Sequence, residues 1–136
     1  MDIVLIAGMW LDATAWEDVV PELERLGHRP VAVTLPGQGD GDTTATYADQ
    51  VAAVTAAVDA ADGVVHLSDD RRYHVPLTMV CPEFTPDQAK EWVEAGEIPE
   101  LAKARRVDYV DIDAGHWPMY TKPVELARIL ADCTGA

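Results

Sequence analysis

Asp113-Ala-Gly-His-Trp-Pro-Met-Tyr-Thr-Lys-Pro-Val-Glu-Leu-Ala-Arg-Ile-Leu130 is the stretch on which the rest of the chain turns. Just upstream, Val107-Asp-Tyr-Val-Asp-Ile112 is rich in β-branched and aromatic residues and predicts a strand. Downstream, Val124, Leu126, Ala127, Ile129 and Leu130 fall at helical spacing, which predicts a helix over Pro123–Leu130. Pro123 suits its first turn, and Thr121 is the expected cap. His116 therefore lies on a loop between the C-terminal end of a strand and a helix. In open α/β sheets, ligands bind outside those strand ends. Gly115 permits a tight turn before the histidine, and Trp117-Pro118 stiffens the chain after it.

The same alternation runs through the chain from its start. Asp2-Ile-Val-Leu-Ile-Ala-Gly8 is an unbroken apolar run, as expected of a parallel strand covered on both faces. Asp12 to Leu26 has helical spacing at Trp16, Val19, Val20, Leu23 and Leu26, with Gly27 as its stop. Arg29 to Leu35 predicts a second strand, which completes a β-α-β unit with a right-handed crossover. Thr46 to Asp62 predicts an Ala/Val-rich helix stopped by Gly63. Val75 to Cys81 is an apolar run that reads as a third strand. The glycine-rich loop Pro36-Gly-Gln-Gly-Asp-Gly-Asp42 lacks the Gly-Lys-Ser/Thr ending of a phosphate-binding loop and follows the second strand, so it reads as a turn.

Three segments together resemble the α/β-hydrolase superfamily. Ile6-Ala-Gly-Met-Trp10 resembles its oxyanion turn, with Ala7 where a histidine is usual. Leu35-Pro-Gly-Gln-Gly resembles the turn after the next strand. Gly115-His-Trp-Pro, followed by Thr121-Lys-Pro and an apolar helix, resembles the loop that carries the general base. The resemblance implies roles for residues of this chain. His116 would be the base, Glu83 the acid that orients it (Asp87 being a second candidate), and the Met9 N–H an oxyanion donor. Trp10 and Trp117 would border the site.

The middle of such a protein is missing. The family's nucleophile sits in a Gly-x-Ser-x-Gly elbow, where small residues relieve crowding. Ser68 is the only serine here, and His66-Leu67-Ser68-Asp69-Asp70 has neither glycine. The nucleophile is therefore Ser68 or an activated water, or the chain is a pseudoenzyme without useful turnover. With two central strands removed, the remaining four are expected to close as a minimal doubly wound parallel sheet of order 2-1-3-4, helices on both faces. Asp111, Asp113 and His116 lack a familiar metal-ligand spacing, as do His66, Asp69 and Asp70. No metal and no cofactor is expected.

With 136 residues, the chain fits one domain over 1–136. It is 49% hydrophobic with mean hydropathy -0.04, which suits a folded globular chain. A net charge of -14 and a pI near 4.4 set it against nucleic acid and anionic membranes. The absence of a basic leader or a long apolar span points to the cytoplasm, where Cys81 and Cys133 are expected as buried free thiols. The partners expected are a small ester-like molecule and a second copy of the chain. A homodimer would cover the Ala/Val face of Thr46–Asp62 and the site mouth at Met9, Trp10, Trp117 and Met119, which the shortening leaves open.

Overall fold

The computed structural model describes residues 1–8, 10–39, 42–61 and 70–134, with backbone alone at residues 71 and 72. Its strands are β1 (Asp2–Ile6), β2 (Arg29–Val33), β3 (Leu77–Cys81) and β4 (Val107–Asp111). Each lies within two residues of its predicted position. The β1–β2 pair is parallel, in register from Asp2 opposite Arg29 to Ile6 opposite Val33. The β3–β4 pair is parallel too, from Leu77 opposite Val107 to Cys81 opposite Asp111. Arg29 and Asp2 form an ion pair at the start of the first register.

The fold is thus of the α/β class, with parallel strands. Of the expected order 2-1-3-4, the neighbours 2-1 and 3-4 are formed, and no ladder joins β1 to β3 among the described residues. Packing unites the two pairs. Helix α1 (Val20–Arg25) lies against α6 (Pro123–Asp132). Leu5, Val19 and Leu23 from the first half share one core with Ile112, Leu126 and Ala127 from the second. Apolar attraction is non-directional, so such a core holds two sheets together without shared backbone hydrogen bonds.

The helix predicted over Asp12–Leu26 is divided. A 3-10 turn covers Ala13–Trp16, and α1 begins only at Val20. Pro21 has no N–H to give to the preceding turn, but it fits the first turn of a new helix. Gly27 ends α1 at φ 86, a conformation that favours glycine. Helix α2 (Tyr47–Ala60) starts with a capping box: Thr46 accepts from the Asp49 N–H, and the Asp49 carboxylate accepts from the Thr46 N–H at 2.8 Å. Thr85 and Gln88 repeat that device at α3 (Pro86–Glu94). Phe84 packs on Trp92 of α3, ring centroids 4.9 Å apart. The stop expected at Gly63 lies outside the described residues. A short α4 (Pro99–Ala102) was not foreseen from sequence.

Thr121 is not the cap of α6. Pro118–Thr121 forms its own turn, α5, and the Thr121 hydroxyl donates back to the Trp117 carbonyl at 3.2 Å. Lys122 occupies the cap position without a side-chain bond. Cys81 is buried as expected, whereas Cys133, in the turn after α6, is exposed. Burial, reinforced by the charge of Asp111, pushes the Cys81 thiol above its ordinary pKa.

Candidate functional site

The β3–β4 register delivers two side chains to one place. Cys81 and Asp111 lie opposite each other at the C-terminal ends of their strands. Ile112 extends the ladder by donating to the Cys81 carbonyl at 3.3 Å. Glu83 follows Cys81 by two residues, and His116 follows Asp111 by five. Between them, Ile112 and Ala114 are buried and anchor the loop, and a tight turn closes from the Ala114 N–H to the Ile112 carbonyl at 2.7 Å. Trp117 starts α5, and its carbonyl accepts from Tyr120 at 3.0 Å and Thr121 at 3.2 Å. His116 is thereby held out over the strand ends.

The outcome is a His–carboxylate pair. His116 Nδ1 stands 2.9 Å from Glu83 Oε2. In the neutral ring, Nδ1–H donates to the carboxylate and leaves the lone pair on Nε2. The Trp117 ring meets the His116 ring edge-on at 4.6 Å between centroids. The pair is open to water, with His116 66% and Glu83 51% exposed. Asp87, the second acid candidate, points elsewhere and pairs with Lys90 at 2.9 Å along α3.

At the end of β1 the chain turns over Gly8–Leu11, closed by Leu11 N–H to the Gly8 carbonyl at 3.2 Å. Trp10 in that turn has φ 67 and is 86% exposed. Trp117 is also exposed, as a residue at an open site mouth would be, whereas Trp16 is buried. Met119 lies in the core and does not open onto the site. The reason is positional: Trp10 and Trp117 sit at the strand ends, where no element among the described residues buries them. Met9 and Ser68 lie outside the described residues, as do His66 and Asp69.

Sequence reasoning treated the loop after β2 as a turn only and passed over Gln38. Its Nε2 donates to the Gly8 carbonyl at 3.3 Å, from the far side of the β1 turn. The one signal available was its place between Gly37 and Gly39, both at positive φ. Beside it, Asp12 caps the Ala13–Trp16 turn. Bonds from the Thr14 hydroxyl and backbone hold the Asp12 carboxyl below the usual carboxylate range.

A cavity of about 650 Å³ opens elsewhere, between Pro76, Arg106, Asp108, Val110 and Cys133. It runs along β4 and the end of α6, and neither His116 nor Glu83 lines it. Its charged residues Arg106 and Asp108 pair with each other at 2.8 Å, so the His116–Glu83 pair is the better guide to chemistry. Among the described residues, no group of three or more His, Cys, Asp or Glu is placed to hold a metal. Nor is any described helix long and apolar enough to cross a membrane.

Parallel strands, crossover helices and a His–carboxylate pair at the strand ends define a hydrolase-like α/β protein. The model of the alpha/beta hydrolase family matches residues 3–75, just over half of the sequence, and the chain belongs to that family. The match covers β1, β2 and α2, and ends before Glu83 and His116. Neither curated proteins nor solved structures gave a significant match.

Proposed function

We propose that this protein is a single-domain, shortened relative of ester and amide hydrolases, with low turnover carried by His116. The observation behind this is the 2.9 Å contact between His116 Nδ1 and Glu83 Oε2 at the strand ends. Glu83 orients the ring and stabilises the imidazolium that forms. His116 Nε2 takes the proton from the attacking hydroxyl, of Ser68 or of a water, as oxygen adds to the ester carbonyl. It then returns that proton to the leaving group. The Met9 N–H is the oxyanion donor, and Trp10 and Trp117 are apolar walls for an ester-like ligand. Turnover is low for two reasons. Ser68 lacks the small neighbours of a nucleophile elbow, and an exposed site gives water-weakened electrostatics.

Aryl acetate hydrolysis tests this. The expected result is slow turnover that survives Ser68→Ala, through water. Fast turnover abolished by Ser68→Ala would show an intact serine nucleophile and overturn the low-activity reading.

A second reading is a non-catalytic binding or dimerisation module. It is favoured by α2, which has no buried residue and leaves Tyr47 exposed. In a two-fold homodimer each protomer would cover the partner's α2, gaining about 25 cal/mol per Å² of apolar surface. Charge repulsion at -14 opposes this and is screened over roughly 8–10 Å at ordinary salt. Sedimentation at micromolar concentration is expected to give twice the 14.8 kDa chain mass. A monomer mass insensitive to salt and dilution would eliminate the dimer.

A further inference from the structure

A groove of about 420 Å³ lies at the start of α6, lined by Thr121, Lys122, Pro123, Val124, Glu125 and Arg128. It begins one turn of chain from the candidate site. The His116 ring meets the Trp117 ring, the Trp117 carbonyl accepts from the Thr121 hydroxyl at 3.2 Å, and Thr121 lines the groove. The same segment leaves Trp117, Tyr120 and Val124 exposed.

With 24 acidic against 10 basic residues, a cation in this chain has many carboxylates to pair with. Arg25 pairs with Glu22, Lys90 with Asp87, Lys103 with Glu100 and Arg106 with Asp108, all at 2.8–2.9 Å. Arg128 forms no ion pair or hydrogen bond among the described residues, although Glu125 stands three positions before it. Lys122 stands 3.9 Å from Glu125, a loose pairing. The groove therefore sets two cationic side chains against one carboxylate, in a protein whose net charge is -14.

We propose that this groove is an anion subsite of the candidate site, in which Arg128 and Lys122 hold a carboxylate of the substrate, remote from its ester. The inference rests on the proposed hydrolase function. Tyr120, Pro123 and Val124 offer apolar contact to the body of such a molecule. A guanidinium fork matches a carboxylate or a phosphate with two parallel N–H donors. Glu125 and the acid excess penalise a second negative charge, which favours a monoanionic carboxylate over a dianionic phosphate. Repulsion by the rest of the protein is screened over roughly 8–10 Å at ordinary salt, whereas contacts inside the groove are not. Arg128 thus selects the substrate and leaves the reacting atoms to His116.

The test sets 4-acetoxybenzoate against its neutral methyl ester, with the full chain as enzyme. Arg128→Gln removes the charge and keeps most of the length. It is expected to lower the kcat/KM ratio of carboxylate ester to neutral ester about three- to tenfold, through KM. Arg25→Gln removes the same charge from α1 and is expected to leave that ratio within about twofold. Binding is read apart from turnover by titrating benzoate against backbone amide NMR shifts. Benzoate is expected to move the amides between Thr121 and Arg128, and to bind Arg128→Gln about three- to tenfold more weakly. Benzamide, its neutral counterpart, is expected to bind both proteins alike. An equal fall in the ratio for Arg25→Gln would reduce the effect to net charge and overturn the subsite. Benzoate shifts absent from this segment, or undiminished in Arg128→Gln, would overturn it too. If Arg128→Gln does not fold, Arg128→Lys, which keeps the charge and loses the fork, gives the same readouts in graded form. If the wild-type protein shows no His116-dependent turnover, the hydrolase reading falls, and the benzoate titration still decides whether the groove takes a carboxylate.

Discussion

Ile112→Ala is expected to lower stability by about 2–5 kcal/mol, as deletion of a fully buried aliphatic side chain does. Ile112 is 1% exposed and lies in the core shared by both strand pairs. A whole domain is stable by only roughly 5–15 kcal/mol, so this one substitution removes a large share. The cavity would open where the two sheets meet. Among the described residues no ladder joins them there, and they share one apolar core. Val124→Ala on α6 is the control, because Val124 is exposed and its loss should stay within about 0.5 kcal/mol. Urea unfolding midpoints measure both. A loss at Ile112 no larger than at Val124 would mean that the two sheets do not depend on a common core.

His116→Ala is expected to abolish protein-dependent ester turnover, because it removes the proposed base, a contribution of roughly 10²–10⁴-fold in such sites. Glu83→Gln is expected to lower the rate about tenfold, the loss of some 1.4 kcal/mol of transition-state stabilisation. Neither change should disturb the fold. Both side chains are largely exposed, and a pair of that kind contributes about 0–1 kcal/mol to stability. The double variant should be no slower than His116→Ala alone, since Glu83 acts only through the ring. Initial rates together with thermal melts separate the cases. Turnover of His116→Ala equal to wild type would remove this histidine from any mechanism. A Glu83→Gln protein at full rate would make the 2.9 Å contact a surface ion pair and nothing more.

The four strands were legible because each is a short run rich in β-branched, aliphatic or aromatic residues, as covered parallel strands require. The β1–α–β2 and β3–α–β4 crossovers follow from the same alternation. Helix limits were less legible. Pro21 moves the start of α1 to Val20, and the back-bonded hydroxyl of Thr121 places it inside a turn rather than before a helix. Glu83 and His116 were legible as two candidates at strand ends.

Their meeting was expected only through the family resemblance and not from any local pattern, because they are 33 residues apart. The parallel register that sets Cys81 opposite Asp111 brings them within a hydrogen bond, and register is settled by which faces are buried. The same limit applies to Trp10, Trp16, Trp117 and Met119. Their residue type is equally apolar, yet two are exposed and two buried, according to what else packs over each. Gln38 reaches Gly8 across 30 residues, through a loop that sequence marks only as flexible in φ. Sequence by itself determined the alternation of elements and the chemical types at the strand ends, since these depend on local pattern. Tertiary structure alone decided the division into two strand pairs and the geometry of the His116–Glu83 contact that the resemblance implied, since these depend on long-range packing that no local pattern encodes.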